Sequence, residues 1–281
     1  MVKLLALIPP AVPDCVVAIG IGESANRHWV ASGFFYGYAD VVAKDKYHVY
    51  LITNKHVFNS IRKIGVTKAY IRVNPKANQE AKTYEVELVD EKGKALWYLH
   101  PDPKVDVAAV PINFAILQGE GMRAEFFQSD KHAYTAKKLQ EMGITEGDFT
   151  YALGFPMNLV GDQRNTVIVR GGVVARIQDV YQNPRKDFLI DAAIFPGNSG
   201  GPVILKPELI SIQGTKSHSN ASLIGIIRGY ISYADEAVSK QTGETRIIFQ
   251  ENSGLAIVHT VDCIDETIQE HIKTLKPSEP S

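Results

Sequence analysis

Short runs of β-branched and aromatic residues, separated by turn-forming residues, recur along almost the whole chain. Such runs, bounded by clusters of Gly, Pro, Asn, Asp or Lys, are typical of β-strands. Many short strands at this spacing predict a β-sandwich or a β-barrel. The predicted strands cover residues 15–22, 29–36, 47–53, 69–73, 84–89, 107–112, 149–153, 166–178, 188–194, 202–205, 223–233, 246–250 and 255–258.

Helical periodicity is scarce, and it is clearest near the C-terminus. Apolar residues separated by steps of three and four positions lie on one face of a helix. A shorter helix is predicted over residues 136–142, and residues 116–136 are predicted to connect two β units. The helix predicted over residues 261–275 presents an apolar face made of Val261, Ile264, Ile268, Ile272 and Leu275.

Composition and charge exclude several classes of protein. The 30 basic and 31 acidic residues give a formal net charge of −1, which argues against a strongly basic nucleic-acid binder. No apolar run approaches the roughly 18–20 residues that a bilayer-spanning helix needs. Cys15 and Cys263 cannot form a disulfide-rich scaffold, and the chain has no C-x-x-C pair for zinc. We therefore expect one large or two small domains with no metal, no nucleic-acid partner and no membrane partner.

The N-terminal segment gives an expectation about location. An apolar run over residues 4–8 is shorter than the core of a signal peptide, and Pro9 and Pro10 end it. We therefore predict that residues 1–12 form an extended arm that adds to a sheet. Because the chain has few cysteines and no export signal, the sequence indicates a cytoplasmic protein.

One serine lies in a glycine-rich turn. Ser199 stands in the sequence Pro-Gly-Asn-Ser-Gly-Gly-Pro over residues 196–202. Glycine permits backbone torsions that other residues resist, so such a turn can expose the hydroxyl and direct successive N–H groups into one concavity. Two converging N–H donors stabilise the oxyanion of a tetrahedral intermediate. The alternative is a glycine-rich turn with an incidental serine.

A nucleophilic serine needs a base, and the base needs a carboxylate that fixes its tautomer. Of the 8 histidines, His56 stands at the end of an apolar strand where a turn begins, so it is placed to reach a cleft. Asp106 directly precedes another apolar strand, whereas Asp102 lies in a proline-flanked loop and is predicted to be exposed. We therefore predict Ser199 as nucleophile, His56 as base and Asp106 as the carboxylate that orients it.

These motifs resemble those of chymotrypsin-like (trypsin-like) serine peptidases, most closely the HtrA/Deg type. The order His, Asp, Ser along the chain is that of the chymotrypsin fold and differs from that of subtilisins and α/β-hydrolases. The resemblance covers roughly residues 13–261 and is carried by residues 53–57, 106–110 and 196–202. It implies an all-β fold with two antiparallel six-stranded β-barrels, the triad between them and a C-terminal helix.

The implied fold divides the chain into parts. The HtrA type usually carries a PDZ domain after the protease, but only about 20 residues follow Val261, so we expect none here. The predicted parts are the arm at 1–12, the first barrel with His56 and Asp106 at 13–115, the connection at 116–136, the second barrel with the nucleophile and specificity pocket at 137–259, and the helix and tail at 260–281.

The resemblance also implies the groups that bind substrate. The segment Gly197, Asn198 and Ser199 is expected to form the oxyanion hole, chiefly through the N–H groups of its two outer residues. Because Asn198 carries no charge, we expect no zymogen activation of the trypsin type. The specificity pocket is expected to be lined by Ala193, Ile194, Ile227, Arg228, Gly229 and Tyr230.

An uncharged residue at the expected floor of the pocket sets the predicted specificity. Ala193 favours a small or medium apolar P1 residue over lysine or arginine. If Arg228 turned into the pocket, it would accept an acidic P1 residue instead, but we expect it to point outward. Residues 206–221 are predicted to form a long surface loop near the site.

The sequence therefore predicts a serine endopeptidase that cleaves a protein or peptide substrate through an acyl-enzyme, without a cofactor. Two alternatives stay open. One is a latent protease that an activating protein partner switches on, and the other is a pseudo-protease that keeps the barrels as a binding scaffold. The retained His56, Asp106 and Ser199 argue against the pseudo-protease. The oligomeric state is not readable from the sequence.

Overall fold

The computed structural model describes residues 8–23, 26–183, 185–208 and 217–275. These residues form a β-sheet, here called the first sheet, and a closed β-barrel, here called the second barrel. The first sheet contains β1 (Val16–Ile21), β2 (His28–Ala39), β3 (Tyr47–Thr53), β4 (Lys68–Val73), β5 (Lys82–Glu87), β6 (Tyr98–Leu99), β7 (Ala108–Pro111) and β8 (Phe127–Gln128). The second barrel contains β9 (Phe149–Gly154), β10 (Ile168–Arg176), β11 (Asp187–Asp191), β12 (Pro202–Leu205), β13 (Leu223–Val238) and β14 (Thr245–Thr260).

Helices occupy the connections and the C-terminal end. The predicted helices at 136–142 and 261–275 are confirmed with those bounds. Much of the predicted N-terminal arm and of the predicted loop at 206–221 lies outside the described residues. The helices are α1 (Ala11–Asp14), α2 (Lys55–Lys63), α3 (Phe114–Gly119), α4 (Ala136–Met142), a 3₁₀ turn (Pro156–Asn158), α5 (Gln178–Gln182) and α6 (Val261–Leu275).

The two β units differ in how they close. The second barrel closes in the order β10-β11-β14-β13-β12-β9. The first sheet runs β5-β4-β1-β2-β3-β7-β6, and an isolated bridge between Val89 and Ala95 brings its two ends together. The predicted all-β fold with two barrels and a C-terminal helix is thus confirmed. The first unit holds eight strands, of which six are longer than two residues.

The extra strand β8 corrects one predicted boundary. Residues 116–136 are predicted to be a connection, yet β8 lies within them and pairs in parallel with β2 through Tyr36 and Phe127. The first unit therefore extends beyond residue 115. The buried side chain of Phe127 explains the pairing, because it packs in the core between the two units.

Alternation of side chains along the central strands produces this central core and two others. In β2, Phe34 and Tyr36 belong to the core between the units, whereas Phe35 belongs to the interior of the first sheet. In β13, Ile226 belongs to the central core and Ile227 to the interior of the second barrel. Successive strand residues face opposite sides, so each central strand serves two cores at once. The shared core holds the two units against each other.

The chain after β3, which the sequence predicts to be a turn, forms the helix α2. Its buried residues Val57, Phe58 and Ile61 have the spacing of one helical face, and this is the signal for a helix in the sequence. The apolar segment of α2 is short and begins directly after β3, so its helical spacing is not recognised beside the apolar pattern of the strand. The helix sets the direction in which His56, its second residue, points.

The strands predicted at 246–250 and 255–258 form one continuous strand. In the structure β14 pairs with β13 as far as the pair Val238–Thr245, well beyond the closed barrel. The outer part of this ribbon is exposed on both faces, including the side chains of Tyr233 and Phe249. The register of β13 and β14 shifts between the pairs Tyr230–Ala256 and Ser232–Asn252, which is where the sequence predicts the gap between the two strands.

Helix α6 connects the two units. The Tyr36 hydroxyl of β2 donates a hydrogen bond to Asp265 Oδ1 at 2.7 Å. The next carboxylate, Glu266, contacts both the His100 ring beside the first sheet and the Lys186 ammonium beside the second barrel. One helix therefore carries polar contacts to both units. None of the helices in the described part of the chain has the length and apolarity needed to cross a membrane.

The buried Asp265 carboxyl group, which contacts Tyr36, predicts that the stability of the protein depends on pH. Burial, together with the nearby carboxylates of Asp262 and Glu266, raises the pKa of Asp265 to about 7 despite the hydrogen bond from Tyr36. An unfolded aspartate has a pKa of about 3.9. Between these values the folded state holds a proton that the unfolded state has lost. The free energy of unfolding therefore falls as pH rises through this window, by at most about 1.4 kcal/mol per pH unit.

We expect Asp265→Asn to remove this dependence while keeping an acceptor for Tyr36. The variant's free energy of unfolding, minus that of the wild type, should grow from about pH 4 to about pH 7 and then level off. Urea denaturation of both proteins across this range measures the difference. A difference that stays constant with pH would contradict the prediction.

Candidate active site

His56 and Asp106 meet at the edge of the first sheet. Asp106 Oδ1 accepts a hydrogen bond from the His56 backbone N–H at 2.9 Å, and Oδ2 lies 2.6 Å from His56 Nδ1. Because an ionised carboxylate only accepts hydrogen bonds, Nδ1 carries the proton in this pair. In the neutral ring Nε2 is therefore the basic nitrogen. The predicted pair is brought together, with the ring held in the tautomer that a general base requires.

The Asp106 carboxylate is buried and stays ionised. Its residue is 9% exposed. Burial alone would raise the pKa of Asp106. The hydrogen bonds from His56 and the charges of nearby histidines lower it by more, so the pKa lies below the ordinary value. The competing residue Asp102 is half-buried and accepts from the Lys104 N–H within its own turn. The structure thus assigns the contact with His56 to Asp106.

Two side chains fix the backbone of Asp106. The Asn54 side chain donates to the Asp106 carbonyl at 2.7 Å. From the other unit, His259 Nε2 accepts from the Asp106 N–H at 3.0 Å, and its Nδ1 lies 3.4 Å from the Lys186 carbonyl. Burial lowers the pKa of His259, which keeps Nε2 available as an acceptor. His259 is the contact that the sequence analysis missed, because it lies 153 positions from Asp106.

The glycine-rich turn around Ser199 directs two N–H groups outward. Gly197 has a φ of +97°, and the Asn198 N–H closes a turn on the Phe195 carbonyl at 3.0 Å. The Pro196 carbonyl accepts from the Met157 N–H at 2.6 Å. Because a trans peptide is planar, the Gly197 N–H points away from that contact. Within the described residues, the Gly197 and Ser199 N–H groups donate to no protein acceptor.

One expected member of the oxyanion hole is corrected. The N–H of Asn198 is used inside the turn, and its side-chain Oδ1 accepts from the Phe195 N–H at 3.1 Å. Asn198 is also fully buried. It therefore shapes the turn and offers no donor to a ligand, which leaves Gly197 and Ser199 as the outward N–H groups.

Ser32 of β2 holds this turn against the first sheet. Its hydroxyl donates to the Gly197 carbonyl at 2.7 Å and accepts from the Phe155 N–H at 2.9 Å. Its backbone N–H donates to the Ser199 carbonyl at 3.0 Å. A side chain at Gly200 would collide with the Thr53 hydroxyl and the Ser32 carbonyl, so only glycine permits this approach. The turn is thus fixed by contacts that cross between the two units.

Ser199 and His56 line the same cavity. The cavity has a volume of about 400 Å³ and lies open to solvent at the junction of the two units. Within the described residues the Ser199 hydroxyl forms no hydrogen bond with the His56 ring. In ligand-free enzymes this contact is often long and tightens when substrate binds. The cavity is lined by Ile21, Val30, His56, Val57, Ser60, Ile61, Ile64, Pro196, Gly197 and Ser199.

The residues predicted to line the specificity pocket divide into two groups. Ile194 and Ile227 pack inside the second barrel at 1% and 0% exposure, so their side chains do not line an open pocket. Ala193, Gly229 and Tyr230 are at least partly accessible. Arg228 is exposed and its Nη1 lies 3.9 Å from Asp187 Oδ2, which agrees with the expected outward orientation.

Metal-ligand clusters and free cysteines are two further kinds of reactive group that the described residues could hold. No group of three or more His, Cys, Asp or Glu side chains among them is arranged to hold a metal ion. Cys15 and Cys263 are both buried and free. Ser199 and His56 line the cavity, and Asp106 contacts His56.

Comparison with known proteins gives similarities of different extent. Residues 31–208 match a family described as the trypsin-like peptidase domain. Proteins named "Probable periplasmic serine endoprotease DegP-like" from Brucella suis biovar 1 and Brucella abortus are 29% identical over 159 residues, which are 56% of this chain and 27% of theirs. The chain thus matches about a quarter of the length of these relatives.

Two solved structures also align with most of the chain. Inactive forms of Rv3671c from M. tuberculosis H37Rv, one of them a mutant, share 17% sequence identity with it. The alignment with the mutant covers 96% of this chain and 91% of that chain, with a TM-score of 0.45. The second alignment has a TM-score of 0.43.

The contacts of Ser32 predict a specific loss of stability. Ser32→Ala leaves the Gly197 carbonyl and the Phe155 N–H without their buried partner. We expect the free energy of unfolding to fall by about 1–3 kcal/mol. Urea denaturation monitored by fluorescence measures this change.

A buried serine without such contacts provides the matched control. Ser222 is fully buried, and its hydroxyl has no partner within the described residues. Ser222→Ala removes a buried hydroxyl that has no partner, so it should not lower the free energy of unfolding and should raise it by up to about 1–3 kcal/mol. Equal losses in the two variants would show that the contacts of Ser32 do not contribute.

Proposed function

Because the chain belongs to the trypsin-like peptidase domain family, we propose that it is a serine endopeptidase whose nucleophile, base and orienting acid are Ser199, His56 and Asp106. The observation that carries the proposal is the His56–Asp106 pair, held by two hydrogen bonds beside the cavity that Ser199 also lines. The activity on proteins or peptides is part of the proposal, since the relatives are much longer than the matched segment.

The proposed reaction begins at the Ser199 hydroxyl. Its oxygen attacks the carbonyl carbon of the scissile bond while His56 Nε2 takes the hydroxyl proton. The carbonyl oxygen becomes an oxyanion, and the outward N–H groups of Gly197 and Ser199 are the donors that would bind it. The tetrahedral intermediate then collapses as His56 returns the proton to the leaving amine. An ester between Ser199 and the acyl half of the substrate remains.

Water completes the proposed cycle. His56 Nε2 takes a proton from water while the water oxygen attacks the ester carbon, which forms a second tetrahedral intermediate. The bond between this carbon and the Ser199 oxygen then breaks, His56 returns the proton to that oxygen, and the acyl half leaves as a carboxylic acid. Asp106 supports both halves of the cycle. Its ionised carboxylate faces His56 Nδ1 and stabilises the positive charge of the ring when Nε2 takes a proton. No cofactor takes part in this scheme.

The backbone contacts support an oxyanion site that is formed in the absence of ligand. The Pro196 carbonyl is held away from the cavity by the Met157 N–H, so the opposite side of that peptide presents the Gly197 N–H. This geometry favours an active protease over the latent form left open by the sequence. A latent enzyme, like a binding scaffold, is an outcome that the labelling experiment below detects.

Two finer features of the proposal stay predictions from the sequence. The first is a preference for small or medium apolar P1 residues, for which the accessible and uncharged Ala193 is the supporting feature. The second is a cytoplasmic location, supported by the absence of a disulfide between Cys15 and Cys263. The relatives are named periplasmic, and that name describes those proteins.

The proposed nucleophile is tested by active-site labelling of the full chain. A fluorophosphonate probe reacts with a serine only when a neighbouring base activates it. We expect labelling of the wild type at Ser199 and of the Ser222→Ala control, and no labelling of Ser199→Ala. The substitution at Ser199 should also lower kcat for a responsive peptide or ester substrate by about a million-fold.

Two results would contradict the proposal. One is a folded wild type that is not labelled either alone or in the presence of cell extract, since this would indicate a binding scaffold. The other is a Ser199→Ala variant that keeps cleaving the substrate. Labelling that appears only with extract would identify the latent form.

A further inference from the structure

The cavity beside Ser199 has an aliphatic wall that the triad does not need. Five of its lining residues are isoleucine or valine, and His56 is the one titratable side chain among the ten lining residues. Two walls come from different elements of the first sheet unit, the helix α2 and the strands β1 and β2. The isoleucine and valine residues are Ile21, Val30, Val57, Ile61 and Ile64.

The inner part of this wall is buried and its rim is exposed. Val57 and Ile61 are 5% and 3% exposed and pack in the interior core of the first sheet. Ile64, at the end of α2, is 63% exposed. An isoleucine that borders a concave apolar wall yet remains in water gains by contact with another apolar side chain. A volume of about 400 Å³ is within the range of ligand sites, and it accommodates a large hydrocarbon side chain.

The strand edge that contacts the turn around Ser199 indicates how a substrate chain would run. Ile227 of β13 exchanges backbone hydrogen bonds with the nucleophile turn, at 3.0 Å to Gly200 and 2.9 Å to Gly201. The pairing of β13 with β12 does not continue past this point. A side chain added at Gly229 would meet open space. This free edge can therefore pair with one half of an extended substrate, while the cavity receives the other half.

The role of His56 decides which half enters the cavity. The nitrogen of the leaving amine must reach His56 Nε2 to receive its proton. The substrate residues that follow the leaving nitrogen extend away from the acyl half. The helix that carries His56 also provides Val57, Ile61 and Ile64 to the cavity. The leaving half is thus directed toward α2, and the acyl half toward the edge of β13.

We infer that the cavity is a subsite for the leaving half of the substrate, and that it selects a large aliphatic or aromatic side chain at the first or second residue after the scissile bond. This inference rests on the proposed function. A carboxylate or ammonium group in the cavity would lose its hydration without an opposite charge in the wall. The protein therefore recognises its substrates by an apolar residue after the scissile bond, in addition to any preference at P1.

The test compares substrates that have a leaving peptide with substrates that have none. The full chain is assayed on thiobenzyl esters to find a reactive acyl half, which is then kept constant. Internally quenched peptides with this acyl half carry Leu, Phe, Gly, Asp or Lys at the first and second residues after the scissile bond. We expect kcat/KM for Leu and Phe to exceed that for Asp and Lys by about 10- to 100-fold at one of these positions.

A charge introduced at the rim gives a readout that loss of structure cannot imitate. Ile64→Lys places an ammonium group at the mouth of the cavity, on a residue that is already exposed. The ratio of kcat/KM for the Asp peptide to that for the Leu peptide should rise at least several-fold, because the new charge pairs with the carboxylate. Val42→Lys, at a residue that is 94% exposed in the connection between β2 and β3, is the matched control and should leave this ratio unchanged.

The outcomes separate the inference from the proposed function. Ester hydrolysis and probe labelling with equal cleavage of all leaving peptides would overturn the inference and leave the protease intact. The same conclusion holds if Ile64→Lys and Val42→Lys give the same ratio. Absence of both ester hydrolysis and labelling would overturn the proposed function, and with it the subsite.

Discussion

The contact between Ser32 and the nucleophile turn is the constraint on which the geometry of the junction depends. One buried side chain and its own backbone hold the Gly197 carbonyl, the Phe155 N–H and the Ser199 carbonyl. These groups belong to the second barrel, while Ser32 belongs to β2. The turn that carries Ser199 is thus positioned by the first sheet. The glycine at position 200 is required because the turn lies directly on Ser32 and Thr53.

A second contact runs in the opposite direction across the same junction. Asp106 belongs to the first sheet, but its backbone N–H donates to His259 of β14. Each unit therefore holds part of the proposed site of the other, and neither unit alone makes both of these contacts to Ser199 and Asp106. Helix α6 adds the contacts of Asp265 and Glu266 to this coupling. The position of the site follows from the shared central core and these reciprocal polar contacts.

The sequence predicts what is encoded locally. The alternation of apolar residues revealed most strands, the spacing of Val261 to Leu275 revealed α6, and the glycines around Ser199 revealed the turn. The residues missed were those whose role depends on distant partners. His259 meets Asp106 across 153 positions, and the short apolar face of α2 was hidden by the strand that precedes it. Asn198 and Ile194 were misplaced because a motif does not show which groups a turn or a core has already used.

The helix α2 links the chemistry of the base to the shape of the cavity. His56 takes its direction from the first turn of this helix, and Val57 and Ile61 anchor the same helix in the core of the first sheet. A change on the buried face of α2 would therefore move the base and the cavity wall together, because the helix is short and packed along one side. Only the outer end, at Ile64, is free of this restriction. In this fold, selectivity for the leaving half of a substrate can change at the rim while the buried face of α2 keeps the base in place.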